Sequence, residues 1–463
     1  QMEYSAFEEA TVPICSFVLK NGKDMQNGYY FKLSDFKGGM EVQKQKVLEA
    51  LVDKECGYFY ETNAENFSRI PGMPIAYWVS DNFILNYDKG ILMDSVAKPR
   101  QGMATCDNNR FLRHWYEVTL KKLCFDCGSI EECKTRAEKW FPYNKGGDFR
   151  KWYGNNETVI NWKNDGFEVK EYAVQLYKSV TRTIKNIPFY FKDGITYTFI
   201  SSSKFGVRYS PCGYIFDVAG STVFVDEKYK LYILALMISD VTKTYLDALN
   251  PTLNFQVGDI KNIPIIFNDC KLQEVNELCQ ENISVSKNDW DSFETSWDFT
   301  RHPLIVYKTN EKISNSFANW SVFAEDQFNQ LKNNEEELNK IFIDIYGLQD
   351  ELTPKVDDKD ITIRKADRER DVRSFLSYAV GCMFGRYSLD VEGIAYAGGD
   401  WDADKYSNFI PDKDNILPIT DEEYFEDDIV GRFVEFVKQV YGLDTLEENL
   451  DFIAQALGNN GTG

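Results

Sequence analysis

The stretch from Gly102 to Tyr153 constrains the fold of this chain most, because aromatic rings alternate there with basic, amide and glycine residues. Aromatic residues are frequent in β-strands, so the stretch fits a half-buried sheet with a polar edge. Rings interspersed with cations are also typical of surfaces that stack bases and contact phosphates. Both interpretations stand at this point. The rings and cations concerned are Trp115, Tyr116, Trp140, Phe141, Tyr143, Phe149, Trp152, Tyr153, Arg110, Arg113, Lys139, Lys145, Arg150 and Lys151.

The charge of the chain is unevenly distributed. The net charge of −21 argues against a nucleic-acid partner for the molecule as a whole. Residues 101–210 nevertheless carry a net +6, whereas residues 321–463 carry a net −18. Charges separated by more than roughly 10 Å are screened at physiological salt. The pattern therefore predicts a local site for a polyanion beside an acidic region that faces solvent or a partner.

Length and composition limit the class of protein. A chain of 463 residues predicts two to four domains. No apolar run approaches the ~18 residues of a membrane span, and no basic-then-apolar leader is visible. Ten cysteines without regular spacing favour a reducing compartment over a disulfide framework. We therefore expect a cytoplasmic protein that has no membrane contact.

One cysteine cluster, CFDCGSIEEC at 124–133, has spacing that zinc sites use. A fourth ligand would have to be Cys106 or His114, and neither lies at a diagnostic distance. Reduced structural thiols are the alternative. The only other histidine is His302, so a Ser-His-Asp or Cys-His catalytic site is not expected.

The first hundred residues predict a short hairpin, a helix and a connector. Two apolar strands within residues 1–40, TVPICSFVLKN and GYYFKLSDF, flank a Gly/Asn-rich turn. Nothing nearby is long enough to complete their sheet, so we expect the hairpin to extend a larger sheet upstream. Residues 41–55 have helical periodicity, and Pro and Gly punctuate the connector at 61–100.

Residues 101–268 predict a mixed sheet with two helices, the first from about Glu168. Strands flank Ser201–Ser203, and YIFDVAGSTVFV predicts two more strands that break at Gly220. The Gly146-Gly147 pair permits close approach of the backbone to another group. The apolar stripe at 228–250 predicts a helix, and LNFQVGDIKNIPIIF predicts a closing strand that turns at Gly258.

The remaining chain predicts helices. The acidic segment 321–346, the apolar segment 372–390 and a C-terminal pair have helical spacing, and Thr420 with Glu423 predicts a capping box. The predicted fold is α+β, with a mixed-sheet domain followed by a mostly helical one and preceded by the trailing hairpin. The predicted divisions are 1–60 (hairpin and helix), 61–100 (connector), 101–268 (mixed sheet), 269–320 (helical connector) and 321–463 (acidic helical domain).

Five sequence blocks together resemble the adenine-specific DNA methyltransferases of BREX phage-defence systems, the PglX type. The chain is similar to the central and C-terminal parts of that family, and more loosely to the target-recognition domains of type IIG restriction-modification enzymes and type I specificity subunits. The blocks are GMATCDNNRFLRHWYEV, WFPYNKGGDFRKWYGN, ISSSKFGVRY, LNPTLNFQVGDIKNIPI and SYAVGCMFGRYSLD.

The resemblance implies transfer of a methyl group from S-adenosylmethionine to the exocyclic amine of adenine in double-stranded DNA. That chemistry uses a glycine-containing cofactor loop and an Asn/Asp-Pro-Pro-aromatic motif for the flipped base. Neither is present: Asn250-Pro251 is followed by Thr252, and Gly398-Gly399 has the wrong context. We therefore predict no catalytic, cofactor or metal residues in this chain, which would be inactive without an upstream methyltransferase domain.

The resemblance also implies DNA-contacting residues in three blocks. Arginine suits guanine and asparagine suits adenine, and each such pair contributes about 1–3 kcal/mol of discrimination. Simpler readings stay open: the asparagines as turn formers, the serines as a loop, and Arg113 as a partner of Glu117. The predicted contacts are Asn108, Asn109, Arg110, Lys145, Arg150, Lys151, Trp152, Ser201, Ser202, Lys204 and Arg208.

Two functions follow. The first is the DNA target-recognition part of a phage-defence adenine methyltransferase. The second is an acidic scaffold at 321–463 that docks other defence proteins and contacts DNA only incidentally.

Overall fold

The computed structural model describes residues 15–20, 27–200, 204–250, 252, 254–420, 424–425 and 427–458. Its fold is α+β with small mixed sheets and a helical C-terminal region, as the sequence predicts. The strands are β1 (Gly28–Phe31), β2 (Phe59–Thr62), β3 (Ile91–Leu92), β4 (Ala97–Arg100), β5 (Leu112–His114), β6 (Trp140–Asn144), β7 (Thr158–Asn161), β8 (Gly194–Tyr197), β9 (Val207–Ser210), β10 (Ile215–Phe216), β11 (Thr222–Val225) and β12 (Pro264–Ile265).

Helices separate the sheets and make up most of the chain after β12. They are α1 (Met40–Val52), α2 (Glu65–Ser68), α3 (Asp81–Lys89), α4 (Met93–Val96), α5 (Asn108–Phe111), α6 (Ile130–Cys133), α7 (Lys163–Tyr177), α8 (Glu227–Ile238), α9 (Asp240–Leu249), α10 (Val257–Lys261), α11 (Leu272–Asp291), α12 (Pro303–Val306), α13 (Ile313–Tyr346), α14 (Arg368–Met383), α15 (Ile429–Tyr441) and α16 (Leu446–Ala456).

Two four-stranded sheets form the β-region. The first has the order β10-β6-β7-β5, with β10 and β6 parallel, and the second has the antiparallel order β4-β11-β8-β9. The segment YIFDVAGSTVFV supplies β10 to the first sheet and β11 to the second, so the break predicted at Gly220 is where the chain changes sheets. The sequence shows the break but not the change of sheet, because strand pairing is a long-range choice.

Gly220 lies between β10 of the first sheet and β11 of the second, against the backbone of β6. A Cβ atom at this position would be 2.3 Å from the carbonyl oxygen of Asn144 in β6, which is main chain and cannot rotate away. We expect Gly220→Ala to lower the free energy of unfolding by about 1–3 kcal/mol through overpacking. Urea unfolding measures this change. The matched control is Gly258→Ala in α10, where nothing lies within 4 Å of the added methyl. We expect it to be neutral or mildly stabilising, and an equal loss in both variants would contradict the packing argument.

Three large cores and two small clusters, one around Trp115 and one around Trp320, are buried in the described part of the chain. The largest lies between the second sheet and the helices α8, α9, α11 and α13, with Tyr197, Leu234 and Phe342 at its centre. The second packs α7 and the loop before β8 on the first sheet. The third joins α14, α15, α16 and the start of α13. Helix α13 therefore reaches from the first core to the third and ties the two together.

The N-terminal hairpin prediction is wrong where the structure describes it. Residues 15–20 are not in a strand, and β1 pairs with β2 in antiparallel register. Residues 11–14 lie outside the described part. The predicted connector at 61–100 also does more than connect, because α3 packs in the largest core and β4 pairs with β11.

One helix prediction and one strand prediction are only partly right. The helix predicted at 228–250 is two helices that break at Ser239, where the side chain of Asn339 accepts a hydrogen bond from the backbone N–H of Asp240 at 3.0 Å. The strand predicted after residue 253 is mostly helix α10, because Gln256 and Asp259 cap each other reciprocally. Both caps depend on side chains whose partner cannot be read from periodicity.

The predicted capping box of the first C-terminal helix is also wrong. Helix α15 begins at Ile429, and Asp428 caps it by accepting from the N–H of Val430 at 2.8 Å. The hydroxyl of Thr420 donates to Asp428 at 3.0 Å instead, and Glu423 lies outside the described residues.

Candidate nucleic-acid interface

The second block that holds predicted DNA contacts, WFPYNKGGDFRKWYGN at 140–155, does not face solvent. Lys151 and Trp152 lie in the loop before β7, and both side chains point at Glu335 in the middle of α13. The ammonium of Lys151 forms an ion pair with Glu335, and the indole N–H of Trp152 donates to the same carboxylate at 2.7 Å. The side chains of Lys151 and Glu335 are only 9% and 4% exposed. As contacts to a duplex, Lys151 and Trp152 are therefore wrong predictions, because their polar atoms are already bonded inside the protein.

Arg150 is buried by the same packing. Its guanidinium donates to Asp289 of α11 at 2.7 Å, to the carbonyl of Tyr153 at 2.7 Å and to the carbonyl of Thr362 at 3.2 Å. It also lies over the ring of Trp290, 4.9 Å from the centroid. Arg150 thus links the loop before β7 to helix α11. The prediction that Arg150 contacts DNA is wrong for the same reason as that for Lys151.

Lys145 is half-buried at the edge of the first sheet. Its ammonium is 2.6 Å from Asp217, which also accepts from the hydroxyl of Tyr143 at 2.7 Å. Gly146 follows with φ +90°, and a Cβ there would be 2.7 Å from the carbonyl of Ala219. The close approach predicted for the glycine pair is therefore an approach to the protein itself, by Gly146 to the backbone of Ala219 and by Gly147 to the side chain of Asn155.

The third block is also turned inward where it is described. Lys204 forms an ion pair with Asp360, and its side chain stays 35% exposed. Arg208 is 2% exposed and donates to the carbonyls of Arg150 at 3.4 Å and Gly146 at 3.3 Å. Burial, and then the nearby Arg150, lower the pKa of Arg208 to about 10. The prediction that Arg208 contacts DNA is therefore also wrong.

Ser201 and Ser202, the serines of that block, lie outside the described residues.

The first block does face solvent. Asn108, Asn109 and Arg110 form the exposed short helix α5, whose start Asp107 caps by accepting from the N–H of Arg110 at 3.1 Å. The amide oxygen of Asn108 accepts from the hydroxyl of Thr105 at 2.6 Å, so Asn108 also has the turn-forming role considered above.

The alternative pairing of Arg113 with Glu117 is wrong. Arg113 donates to the carbonyls of Asn109 and Leu112, each at 2.6 Å, and Glu117 accepts from the N–H of His114 at 2.6 Å.

Helix α7 and the loop after it complete a cationic surface around Arg110. The guanidinium of Arg110 lies 5.1 Å from the ring centroid of Tyr172, and that of Arg182 lies 5.4 Å from Tyr177. The pKa of Tyr177 is raised, and the main cause is a side-chain hydrogen bond with Cys106. This contact connects α7 to the segment before α5. We call this the Arg110 surface; its members are Asn108, Asn109, Arg110, Tyr172, Tyr177, Lys178 and Arg182.

Sequence reasoning missed four members of the Arg110 surface. A signal was present, because residues 178–192 hold four Lys or Arg and no Asp or Glu. The 139–153 block has the same length and also holds four Lys or Arg, but it has six aromatic residues against three, and this drew the prediction. Aromatic neighbours are a poor guide to exposure here, because the block that is rich in rings packs into the protein and its Arg150 and Lys151 pair with buried carboxylates.

The cysteine cluster behaves as buried thiols. Cys124, Cys127 and Cys133 are buried and free, and burial raises the pKa of Cys124 and of Cys133 to about 12. The suggested fourth ligands, Cys106 and His114, are both exposed. Within the described ranges, no three His, Cys, Asp or Glu side chains are grouped as metal ligands.

The glycine pair at 398–399 does not fit a nucleotide cofactor. Added Cβ atoms there would be 2.6 Å from the side chain of Thr119 and 2.8 Å from that of Lys121, so both glycines pack on the loop after β5. Asp400 pairs with Lys121 at 3.1 Å, and Asp402 accepts from the N–H of Asp404 at 3.2 Å. These carboxylates stabilise the loop itself.

In the described segments, no helix has the length and apolar character needed to traverse a membrane.

Comparison with known proteins identifies long relatives. The chain is 43% identical over 98% of its length to the adenine-specific methyltransferase PglX of Lacticaseibacillus casei (strain Zhang). It is 35% identical over 96% of its length to the adenine-specific methyltransferase BrxX of Escherichia coli O9:H4 (strain HS). It spans 38% and 37% of these relatives. No protein-family model matches.

Two solved structures are more distantly similar. The type IIL restriction-modification enzyme MmeI, determined in complex with DNA, has a TM-score of 0.37 at 12% identity, covering 57% of this chain and 34% of MmeI. The type IIG restriction endonuclease BpuSI has a TM-score of 0.26 at 10% identity, covering 70% of this chain and 40% of BpuSI. Both scores are too low for an inference about shared architecture.

Proposed function

From the similarity of nearly the whole chain to a segment of curated adenine-specific methyltransferases, which confirms the resemblance seen in the sequence, we propose that this chain is the DNA-recognising segment of such an enzyme. The 43% identity over 98% of the chain is the observation that carries the proposal. The parent protein would be a cytoplasmic phage-defence enzyme of the BREX or type IIG-like restriction-modification kind. Its cofactor would be S-adenosylmethionine, and its substrate would be adenine in double-stranded DNA.

The chemistry is assigned to an upstream methyltransferase domain rather than to this chain. Adenine within a duplex must be flipped into a pocket that holds its Watson–Crick edge, and no Asn/Asp-Pro-Pro motif occurs in these 463 residues. The glycine pair at 398–399, which acidic residues follow at 400, 402 and 404, packs on the protein itself. The segment would bind the duplex and position the target base for the catalytic domain.

The Arg110 surface is where this segment would contact DNA. It combines exposed arginines with tyrosine rings, whereas Arg150, Lys151 and Arg208 are sequestered. Guanidinium groups at such a surface contact phosphates or guanine edges, and exposed amides such as Asn109 suit adenine. Lys145 and Lys204 have partly exposed amines in ion pairs, so they would contribute only after releasing their carboxylates.

A charge-reversal pair tests the Arg110 surface. We expect Arg110→Glu with Arg182→Glu to weaken duplex binding at least about 10-fold in low salt, because two phosphate contacts become repulsive. The slope of log K against log salt should also fall by about 2. Fluorescence anisotropy with a labelled duplex, titrated at several salt concentrations, measures both quantities.

The control variant changes the net charge by the same amount but in the acidic region, away from the Arg110 surface. Lys340→Glu with Lys359→Glu alters two exposed lysines of the acidic region. We expect binding within about 2-fold of the unmodified chain, since screening limits effects at long range. If both double variants bind equally, or the unmodified chain does not bind at low salt, the assignment of this surface is contradicted.

Absence of cofactor binding is a separate expectation. Titrating S-adenosylmethionine into this chain in a calorimeter should produce no binding heat, because the glycine loop and the Asn/Asp-Pro-Pro motif are missing. Uptake at micromolar concentration would mean that the chain carries a cofactor site of its own.

The second candidate is an acidic scaffold that docks other phage-defence proteins. Exposed apolar side chains around the start of α15, including Ile416, Ile419 and Val430, favour it. A pull-down with the unmodified chain and with Ile419→Lys separates the two candidates. If neither captures a defence protein, the scaffold candidate loses its support, and DNA binding remains to be judged by the titration above.

A further inference from the structure

Helix α1 has two different sides, and only one is packed. Gln43 and Ala50 are buried on its inner side, where the amide of Gln43 donates to the carbonyl of Leu33 at 3.4 Å. On the same side, the hydroxyl of Tyr58 donates to the carbonyl of Lys46 at 3.2 Å. These contacts hold α1 against the β1–β2 ribbon and its loops.

The other side of α1 is apolar and open. Met40, Leu48, Leu51 and Val52 are between 55% and 89% exposed. At about 100° per residue, these four positions fall within an arc of about 120°. They form one stripe that is interrupted near its start by Glu41 and Lys44, which lie in the same arc and pair with each other at 3.2 Å. An amphipathic helix of a folded protein normally turns such a stripe inward, so an outward stripe marks an interaction surface.

The neighbouring elements extend the apolar surface. Phe17, Val18 and Leu19 are all more than 70% exposed, and Tyr29 of β1 is 59% exposed. Tyr29 lies at the C-terminal end of α1, because the ammonium of Lys54 is 5.3 Å from its ring centroid, and Tyr30 of the same strand stacks on Tyr77 at 4.8 Å. A two-stranded ribbon with one helix gains little stability of its own, so covering this surface would be strongly favourable.

Charge and relatives indicate what covers the surface. Residues 15–62 contain equal numbers of basic and acidic residues, so the segment has no net charge that would favour a strongly charged partner, and the exposed apolar side chains are its main means of contact. The curated relatives are more than twice as long as the segment this chain matches. In them, further polypeptide of the same enzyme is therefore available to pack here.

We propose that the apolar stripe of α1, with Tyr29 of β1, is the docking surface for the catalytic portion of the methyltransferase. This rests on the proposed function. The contact is an apolar interface of the kind found between domains, which typically buries about 600–1,500 Å². It fixes the catalytic pocket relative to the Arg110 surface, which lies on a separate element of the fold.

The test uses this chain and, as the probe, the part of the Lacticaseibacillus casei relative outside the matched segment, expressed as a separate polypeptide. We expect measurable binding by biolayer interferometry, and a weakening of at least about 10-fold for Leu51→Lys with Val52→Lys. Both substitutions are at exposed helical positions, so circular dichroism and the Tm should stay unchanged.

A matched control places the same charges on other exposed apolar residues. Val306→Lys with Val322→Lys changes α12 and α13, and binding should remain within about 2-fold of the unmodified chain. Three outcomes overturn the proposal: no binding by the unmodified chain, equal loss in both double variants, or a dimer of the unmodified chain that Leu51→Lys with Val52→Lys dissociates. The last result would assign the stripe to a second copy of this chain.

Duplex binding separates this inference from the proposed function. Leu51→Lys with Val52→Lys should leave duplex affinity within about 2-fold, because the stripe and the Arg110 surface share no residue. Failure of docking with intact duplex binding would reject the docking surface alone. Loss of duplex binding in the Arg110 variants with intact docking would leave the inference standing.

Discussion

Replacing Glu335 with alanine is expected to lower the free energy of unfolding by about 3–5 kcal/mol. The carboxylate of Glu335 is the partner of the buried ammonium of Lys151 and accepts from the indole N–H of Trp152 at 2.7 Å. Removing it leaves a desolvated charge and a buried donor without an acceptor, which is the most costly way to break a buried pair. Urea unfolding followed by tryptophan fluorescence measures the change.

Two further variants show whether the loss of stability comes from the buried charge of Lys151 or from removal of any glutamate on α13. Glu337→Ala lies on the same helix and removes an exposed pair with Lys340, so its effect should stay below about 1 kcal/mol. Glu335→Gln keeps an acceptor for Trp152 but removes the charge, so it should fall between the two. Equal stability of Glu335→Ala and Glu337→Ala would show that Lys151 is hydrated and that the block is more open than the structure indicates.

Replacing Asp289 with alanine should have an effect of similar size. Asp289 accepts from the guanidinium of Arg150 at 2.7 Å and from the backbone N–H of Arg364 at 2.9 Å, and its side chain is 7% exposed. Without this carboxylate, Arg150 keeps only carbonyl partners and its charge is uncompensated. We expect a loss of about 3–5 kcal/mol.

Two control variants are compared with Asp289→Ala: a conservative substitution at the same position and an alanine substitution of an exposed aspartate. Asp289→Asn retains an acceptor oxygen and should lose less than Asp289→Ala. Asp350→Ala, at an exposed position after α13, should change stability by no more than about 0.5 kcal/mol. If Asp289→Ala unfolds at the same urea concentration as Asp350→Ala, Arg150 is not held as the structure shows.

These two ion pairs change how DNA binding must be tested. Reversing the charges of Lys145, Arg150 and Lys151 together would put carboxylates beside Asp217, Asp289 and Glu335. The protein would be destabilised whether or not it binds DNA, so loss of binding in that variant would not identify a contact. Exposed residues such as Arg110 and Arg182 report on the duplex without that complication.

The sequence by itself determined the fold class, the family and much of the local structure. Alternating and helical apolar patterns predict α+β, and the strands on either side of Ser201–Ser203 and Gly220 are confirmed because turn residues and side-chain alternation are local signals. The resemblance carried by five sequence blocks is confirmed over nearly the whole chain for the same reason: it depends only on residue identity.

Only the tertiary structure decided which cations face solvent. Lys151 and Arg110 look alike in the sequence, each beside aromatic residues, yet the partners that bury Lys151 and Arg150 lie more than a hundred residues away on α11 and α13. A charge in a low-dielectric interior is stable only with an opposite charge, and that partner is chosen by packing in three dimensions. The break at Ser239, capped by Asn339, and the outward stripe of α1 depend on the same long-range choice.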